Sequence, residues 1–189
     1  MSIDDLIITV FCLIDDQLNK LLDGRKLRQR GFQPNLTDSE VITMEIIGEF
    51  LGHDEDKHIW QYFKVHWSHF FPAIPDRTNF TRQAANLHVI KKRIQEMLAK
   101  TLGAYHDQLH IIDGLPMPVC KFARAYSSRV FKEAAAYSYC ATKQERYYGF
   151  RGHIVISSLG VITAATFAPA NLEENSSPYC VYHHKSYPG

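Results

Sequence analysis

Apolar residues recur at helical spacing from the first residues of the chain. Ile3, Ile7, Val10, Phe11, Ile14, Leu18, Leu21 and Leu22 share one face of a 3.6-residue period, which predicts an amphipathic helix over 3–22. Gly24 and a basic loop end it. Thr37-Asp38-Ser39-Glu40 is a capping box, in which the threonine hydroxyl accepts from the glutamate amide while the glutamate reaches back. The helix it opens places Val41, Ile42, Ile46, Phe50 and Leu51 near one face and stops by Gly52. Trp60, Phe63, Trp67, Phe70 and Phe71 predict a short helix packed on the first two, stopped by Pro72. Pro75-Asp76 starts a further helical stretch carrying Phe80, Ala84, Leu87, Ile90, Ile94, Met97, Leu98 and Leu102. Residues 1–104 therefore read as all-helical.

The period then changes. Leu109 to Ile112 is a short apolar run of strand type, and Asp113-Gly114-x-Pro116 reads as its end, with the carboxylate at the rim of a sheet. Residues 147–157 and 161–168 are rich in aromatic and β-branched residues, and Ser157-Ser158-Leu159-Gly160 between them carries hairpin chemistry. Residues 114–146 read as a loop-rich basic insertion with a short helix around Arg129 to Ala136. The fold class expected is α+β, a helical region followed by a partial sheet. The last fifteen residues, 175–189, keep no period and read as a chain cut short or out of frame.

Composition narrows the class. The chain has 189 residues, 46% hydrophobic and 22% charged, enough to bury a core and too apolar for wholesale disorder. Net charge is +1, but its distribution is uneven. Residues 1–60 carry twelve acids and six bases; residues 77–102 carry six bases against Glu96 alone. Residues 114–152 carry seven bases against Glu133 and Glu145. A basic middle suits a polyanion, and it equally suits a solvated surface. Cys12, Cys120, Cys140 and Cys180 form no C-x-x-C, so a reduced, cytosolic setting is expected. The apolar run Ile7–Ile14 is bracketed by acids and too short to span a membrane.

Several clusters bear on chemistry. His66-x-x-His69, with His53 and His58 nearby, has metal-pair spacing, but no cysteine or H-E-x-x-H accompanies it; a polar face among aromatics accounts for it better. Tyr147-Tyr148 could stack on a base or pack in a strand. There is no Gly-rich phosphate loop and no G-x-S-x-G.

The segments L-T-D-S-E-V, F-F-P-A-I-P-D-R-T-N-F-T-R, H-I-I-D-G-L-P-M-P-V-C, Y-Y-G-F-R-G-H-I-V-I-S-S-L-G and A-P-A-N, in this order, resemble bacterial insertion-sequence transposases of the DDE type, nearest to the insertion sequence 982 family. The resemblance covers residues 1–174. It implies a helical region at 1–104 that binds DNA ends, and an RNase H-like catalytic core at 105–174 of which the first three strands are present. It implies metal-dependent phosphodiester cleavage and strand transfer, in which two Asp and one Glu hold two Mg²⁺ or Mn²⁺ ions. Asp113 matches the first acid and is the expected catalytic residue and metal ligand. The second acid and the Glu have no counterpart here; Glu173 and Glu174 read as charges at a helix start. The chain is therefore expected to be a truncated, catalytically incomplete copy, with metal binding by the fragment itself in question. The alternative is a non-catalytic DNA-binding or transposase-inhibiting module.

On either reading the partner is DNA, as terminal inverted repeats and target, with another transposase chain as a possible second partner and no membrane. Arg77 and Arg82, flanking Asn79, are candidate contacts to phosphates or bases, and Arg124, Arg129, Lys132, Arg146 and Arg151 would neutralise the backbone around Asp113. The implied location is the bacterial cytoplasm, at the nucleoid.

Overall fold

The computed structural model describes residues 1–28 and 30–172. Glu173, Glu174 and the irregular tail 175–189 lie outside the described residues. The chain divides into two compact units, Met1–Leu98 and a second from Ala99 onward.

The first unit is helical. Its α-helices are α1 (Ile3–Leu22), α2 (Asp38–Phe50), α3 (Asp56–His66), α4 (Arg77–Asn86) and α5 (His88–Thr101), the last running past the unit boundary. Three of the starts are capped by side chains. Ser2 Oγ accepts from the Asp5 amide at 3.1 Å, Thr37 Oγ1 from Glu40 at 3.2 Å and Asp76 Oδ1 from Asn79 at 3.1 Å. Each cap satisfies an amide the helix leaves open, a contribution of about 1 kcal/mol. The Thr37 box is complete, since Glu40 Oε2 accepts from the Thr37 amide at 2.6 Å.

The core gathers Ile7, Ile14, Leu18, Val41, Ile47, Phe63, Phe80 and Leu87. Burying each contributes about 1.5–3 kcal/mol. The buried face of α2 differs from the expected one. Val41 and Ile42 are buried, but Ile46 and Phe50 face solvent, and Met44, Ile47 and Gly48 take the inner positions. Gly48 explains the difference: a Cβ there would meet Ile59 Cγ1 at 2.7 Å, so the missing side chain lets α3 close on α2. The α1–α2 connection is tied down at its end. Arg28 makes a two-pronged ion pair with Asp38 at 2.7 and 2.6 Å, and Gln83 donates to Asp38 Oδ1 at 2.8 Å and to the Leu36 carbonyl at 3.0 Å.

The second unit holds a four-stranded antiparallel sheet: β1 (His110–Pro118), β2 (Ala136–Cys140), β3 (Glu145–Ser157) and β4 (Ile162–Pro169). The long β3 organises it. Along Phe150–Ile156, β3 pairs with β1 and with β4, which must lie on opposite sides; β2 pairs with its first residues, Glu145–Gly149. The β3–β4 hairpin closes as expected, with Gly160 at φ +77° and its amide donating to the Ser157 carbonyl at 2.9 Å.

Two expectations are corrected. First, β1 does not end at Ile112 and the chain does not turn at Asp113. The strand continues to Pro118 in unbroken register, which puts Asp113 in mid-strand opposite Ile154. The prolines are tolerated because β1 pairs on one side only among the described residues. Val119 donates inward to Tyr148 at 2.9 Å, so by alternation the nitrogens of Pro116 and Pro118 face the open edge, where no N–H is required. Second, residues 114–146 are more ordered than a loop. A 3-10 helix spans Phe122–Ser127, ahead of the helix expected near Arg129–Ala136, and β2 occupies Ala136–Cys140.

Candidate functional site on the sheet

Asp113 is exposed, and its Oδ1 accepts from the Gly114 amide at 2.8 Å. Strand alternation puts Ile111, Leu115 and Met117 on the same face, with Ile154, Gly152 and Phe150 across from it. The same face continues to Tyr148 and Arg146.

Aromatic packing fixes the basic segment on this face. The Phe131 ring meets Phe150 edge-on at 5.4 Å, and Phe150 meets Phe167 at 5.7 Å. Tyr148, packed against Tyr137 at 4.9 Å, donates its hydroxyl to the Phe131 carbonyl at 3.4 Å. Phe131 adopts φ +52°, an uncommon conformation for a non-glycine residue, and these contacts hold it there. Arg129 and Lys132, both exposed, flank this anchor. The anchor itself, Phe131 on Phe150, lies four positions along β3 from Ile154, about 13 Å of strand from the Asp113 pair.

The other expected cations are distributed differently. Arg146 lies at the start of β3 opposite Tyr139, on the Asp113 side but eight residues from Ile154. Arg151 pairs with Pro116 and by alternation sits on the opposite face of the sheet from Asp113. Arg124 is exposed in the 3-10 helix, next to Phe122, whose ring meets Tyr137 at 6.1 Å. Arg77 and Arg82 are exposed on α4 in the helical unit. Asn79 between them is occupied in capping, its Nδ2 donating to Asp76 at 2.6 Å. Tyr147 and Tyr148 are both buried, so neither offers a ring face to a base.

Three histidines of the helical unit, His53, His66 and His69, pack with aromatics. His53 and His66 lie against Tyr62 at 4.9 and 5.0 Å, and His69 against Phe70 at 4.6 Å. Among the described residues, no group of three or more His, Cys, Asp or Glu is arranged to hold a metal ion. Asp113 supplies one carboxylate, and the described residues do not complete a two-cation site around it. No helix among them is long and apolar enough to cross a membrane.

Residues 103–183 match the family model of a transposase DDE domain. The match supports a DDE transposase. It spans Asp113, the whole sheet and the basic segment pinned by Phe131. The family generally uses divalent metals, and its substrate is DNA. No curated protein and no solved structure matches the chain.

Two residues that build this unit were not singled out from sequence. Asp107 accepts from both the amide and the hydroxyl of Ser158, each at 2.6 Å, and so ties the approach to β1 to the β3–β4 turn. The hydrogen bonds hold its carboxyl below the usual aspartate range. Gly149 sits where β3 approaches β1 too closely for any Cβ. The Gly in Y-Y-G-F-R-G was visible; the partner that makes it necessary was not.

Proposed function

We propose that the chain is a DNA transposase of an insertion sequence, of the insertion sequence 982 type, with β1, β3 and β4 as the first three strands of an RNase H-like core. The match of residues 103–183 to a transposase DDE domain carries this reading. The antiparallel order β1–β3–β4 supports it, with β2 added in the connection between the first two. Asp113 is the first acid of the family's set, and Arg129, Lys132 and Arg146 lower the cost of bringing a phosphodiester to its face. Arg124 and Arg151 serve DNA elsewhere on the unit, and Arg77 and Arg82 contact the backbone from α4. Divalent metal, when a full acid set binds it, would supply activation of the attacking oxygen. Among the described residues no group of three or more ligands gathers at Asp113, and one carboxylate does not hold a cation pair, so we read the chain acting alone as catalytically incomplete. Its place of action is the DNA of the bacterial cytoplasm.

The independent core of the helical unit favours a second reading, a non-catalytic module that binds DNA ends or pairs with a complete transposase chain and inhibits it. A mobility shift on duplex carrying the element's terminal repeats, with Mg²⁺ or Mn²⁺ and a cleavage readout, tests both. Salt-dependent binding without strand cleavage is expected. Absence of a shift at low salt overturns the DNA assignment. Cleavage that disappears in Asp113→Ala overturns the incompleteness while establishing the acid.

A further inference from the structure

The loop between α1 and α2 is a basic island in an acidic stretch. Residues 1–60 hold six bases, and four of them, Arg25, Lys26, Arg28 and Arg30, fall within this loop. Arg28 is committed to Asp38. Arg25, Lys26 and Arg30 are exposed and make no ion pair among the described residues. Beside them Phe32 is fully exposed, at 102% of its reference area, although Leu27 in the same loop packs on the core. Leu22, Arg25, Lys26, Phe32, Gln33 and Pro34 are among the residues that line a hollow of about 190 Å³. That is below the roughly 300 Å³ at which pockets for drug-sized ligands begin.

We propose that this loop binds single-stranded DNA, with Arg25, Lys26 and Arg30 on successive backbone phosphates and Phe32 stacked on an unpaired base. The inference rests on the reading of the chain as a DNA-binding transposase. An isolated aromatic among unpaired cations is the pairing a nucleic-acid strand requires, since phosphates meet the charges and every base has a π-face. A duplex keeps its bases stacked and offers Phe32 no such face. The base of the loop is ordered before binding, by the Arg28–Asp38 pair and by Gln83. Gly24 and Gly31, at φ +73° and +97°, let the chain turn between. Less ordering is then left for the ligand to impose.

The test is fluorescence anisotropy of the full chain with labelled oligo-dT and with a duplex of equal length, across a salt series. In Phe32→Ala, affinity for oligo-dT should fall about 5- to 150-fold, the range for losing one stacked base, with duplex affinity within about twofold of wild type. Phe32→Trp should retain binding. In the triple variant Arg25→Ala, Lys26→Ala, Arg30→Ala, the slope of log affinity against log salt should shrink by about 2, at about 0.7 per phosphate released. Thermal melts matching wild type establish that the variants are folded. Unchanged oligo-dT binding in both variants overturns the loop assignment. Wild-type binding to duplex but not to oligo-dT overturns it while leaving the transposase reading intact. Wild-type binding to neither overturns both. Binding to anionic phospholipid vesicles that Phe32→Ala abolishes, with DNA binding unaffected, overturns it in favour of a membrane surface.

Discussion

The carbonyl oxygen of Met117 occupies the space that a Cβ on Gly149 would fill. Pro118 Cα would stand only 3.0 Å from the same atom, so the obstruction is backbone and cannot rotate away. Gly149→Ala must therefore separate β1 from β3 or bend one of them. We expect a loss at or above the upper end of the 1–3 kcal/mol usual for overpacking, read by denaturant unfolding. Gly152→Ala is the control. Its nearest obstacle is Met117 Sδ at 2.9 Å, the far part of a flexible side chain, and it should cost clearly less. Equal stability of Gly149→Ala and wild type would show that β1 does not pair as described.

Asp107 and Ser158, 51 residues apart, join the start of β1 to the β3–β4 turn. The hydrogen bond from the Ser158 hydroxyl comes first among the causes that lower the Asp107 pKa on folding, followed by the one from the Leu109 amide. A lowered folded value stabilises the fold at pH above the ordinary aspartate pKa of about 3.9, and the contribution fades as pH falls through the folded value. Asp107→Asn should melt below wild type at pH 7, and the gap should close in acid, as pH falls below the ordinary aspartate range. A gap that persisted unchanged there would show that the carboxylate charge is not what the turn uses.

The helical unit was legible because one physical signal repeats in it. Ile7, Ile14 and Leu18 mark the buried stripe of α1, and Thr37 with Glu40 encloses its cap within four residues, so both can be read locally. The face of α2 was not, because Gly48 takes an inner position by having no side chain, which no hydrophobic pattern records. In the sheet, Asp113-Gly114-x-Pro116 reads as a stop only if β1 is flanked on both sides. At an edge the same prolines extend the strand. β2 escaped notice because five residues alternating tyrosine with alanine, serine and cysteine give a weak period, and its pairing with β3 decides it. The contacts that anchor the segment carrying Arg129 and Lys132 run through Phe131, Phe150 and Tyr148, a relation between distant segments that spacing does not encode.

Glu45 is buried in α2, and burial is the largest cause raising its pKa, against the opposing hydrogen bond from Lys91 at 2.6 Å. One of its oxygens, Oε2, has no hydrogen-bond partner. A raised folded value means that stability is greatest below the ordinary glutamate pKa of about 4.3 and is lost as pH rises through the folded value. Glu45→Gln removes that penalty, so it should be at least as stable as wild type at pH 8 and flatten the pH dependence between pH 4 and 8. Lys91→Ala removes the partner and leaves the charge, and should cost about 1–3 kcal/mol at neutral pH. Guanidinium unfolding of the three proteins across pH decides the sign. A destabilised Glu45→Gln would mean that the ion pair outweighs its desolvation.

Asp113 has a structural role that operates with or without metal. It is the one carboxylate on β1, between the exposed Ile111, Ile112, Leu115 and Met117. An open, apolar strand edge is a template for pairing with another chain, and a charge in its middle opposes that, because pairing would desolvate it. Asp113→Val should therefore raise self-association, seen as a concentration-dependent increase in mass by light scattering, whereas Asp113→Lys should stay as dispersed as wild type. The pair separates this role from a catalytic one: lysine restores charge but cannot bind a cation. DNA cleavage in trans, with a complete transposase chain present, would be lost in both variants if the carboxylate is a ligand. Should Asp113→Val remain dispersed at every concentration, the edge is protected by its prolines alone, and the carboxylate is left with chemistry as its reason for standing there.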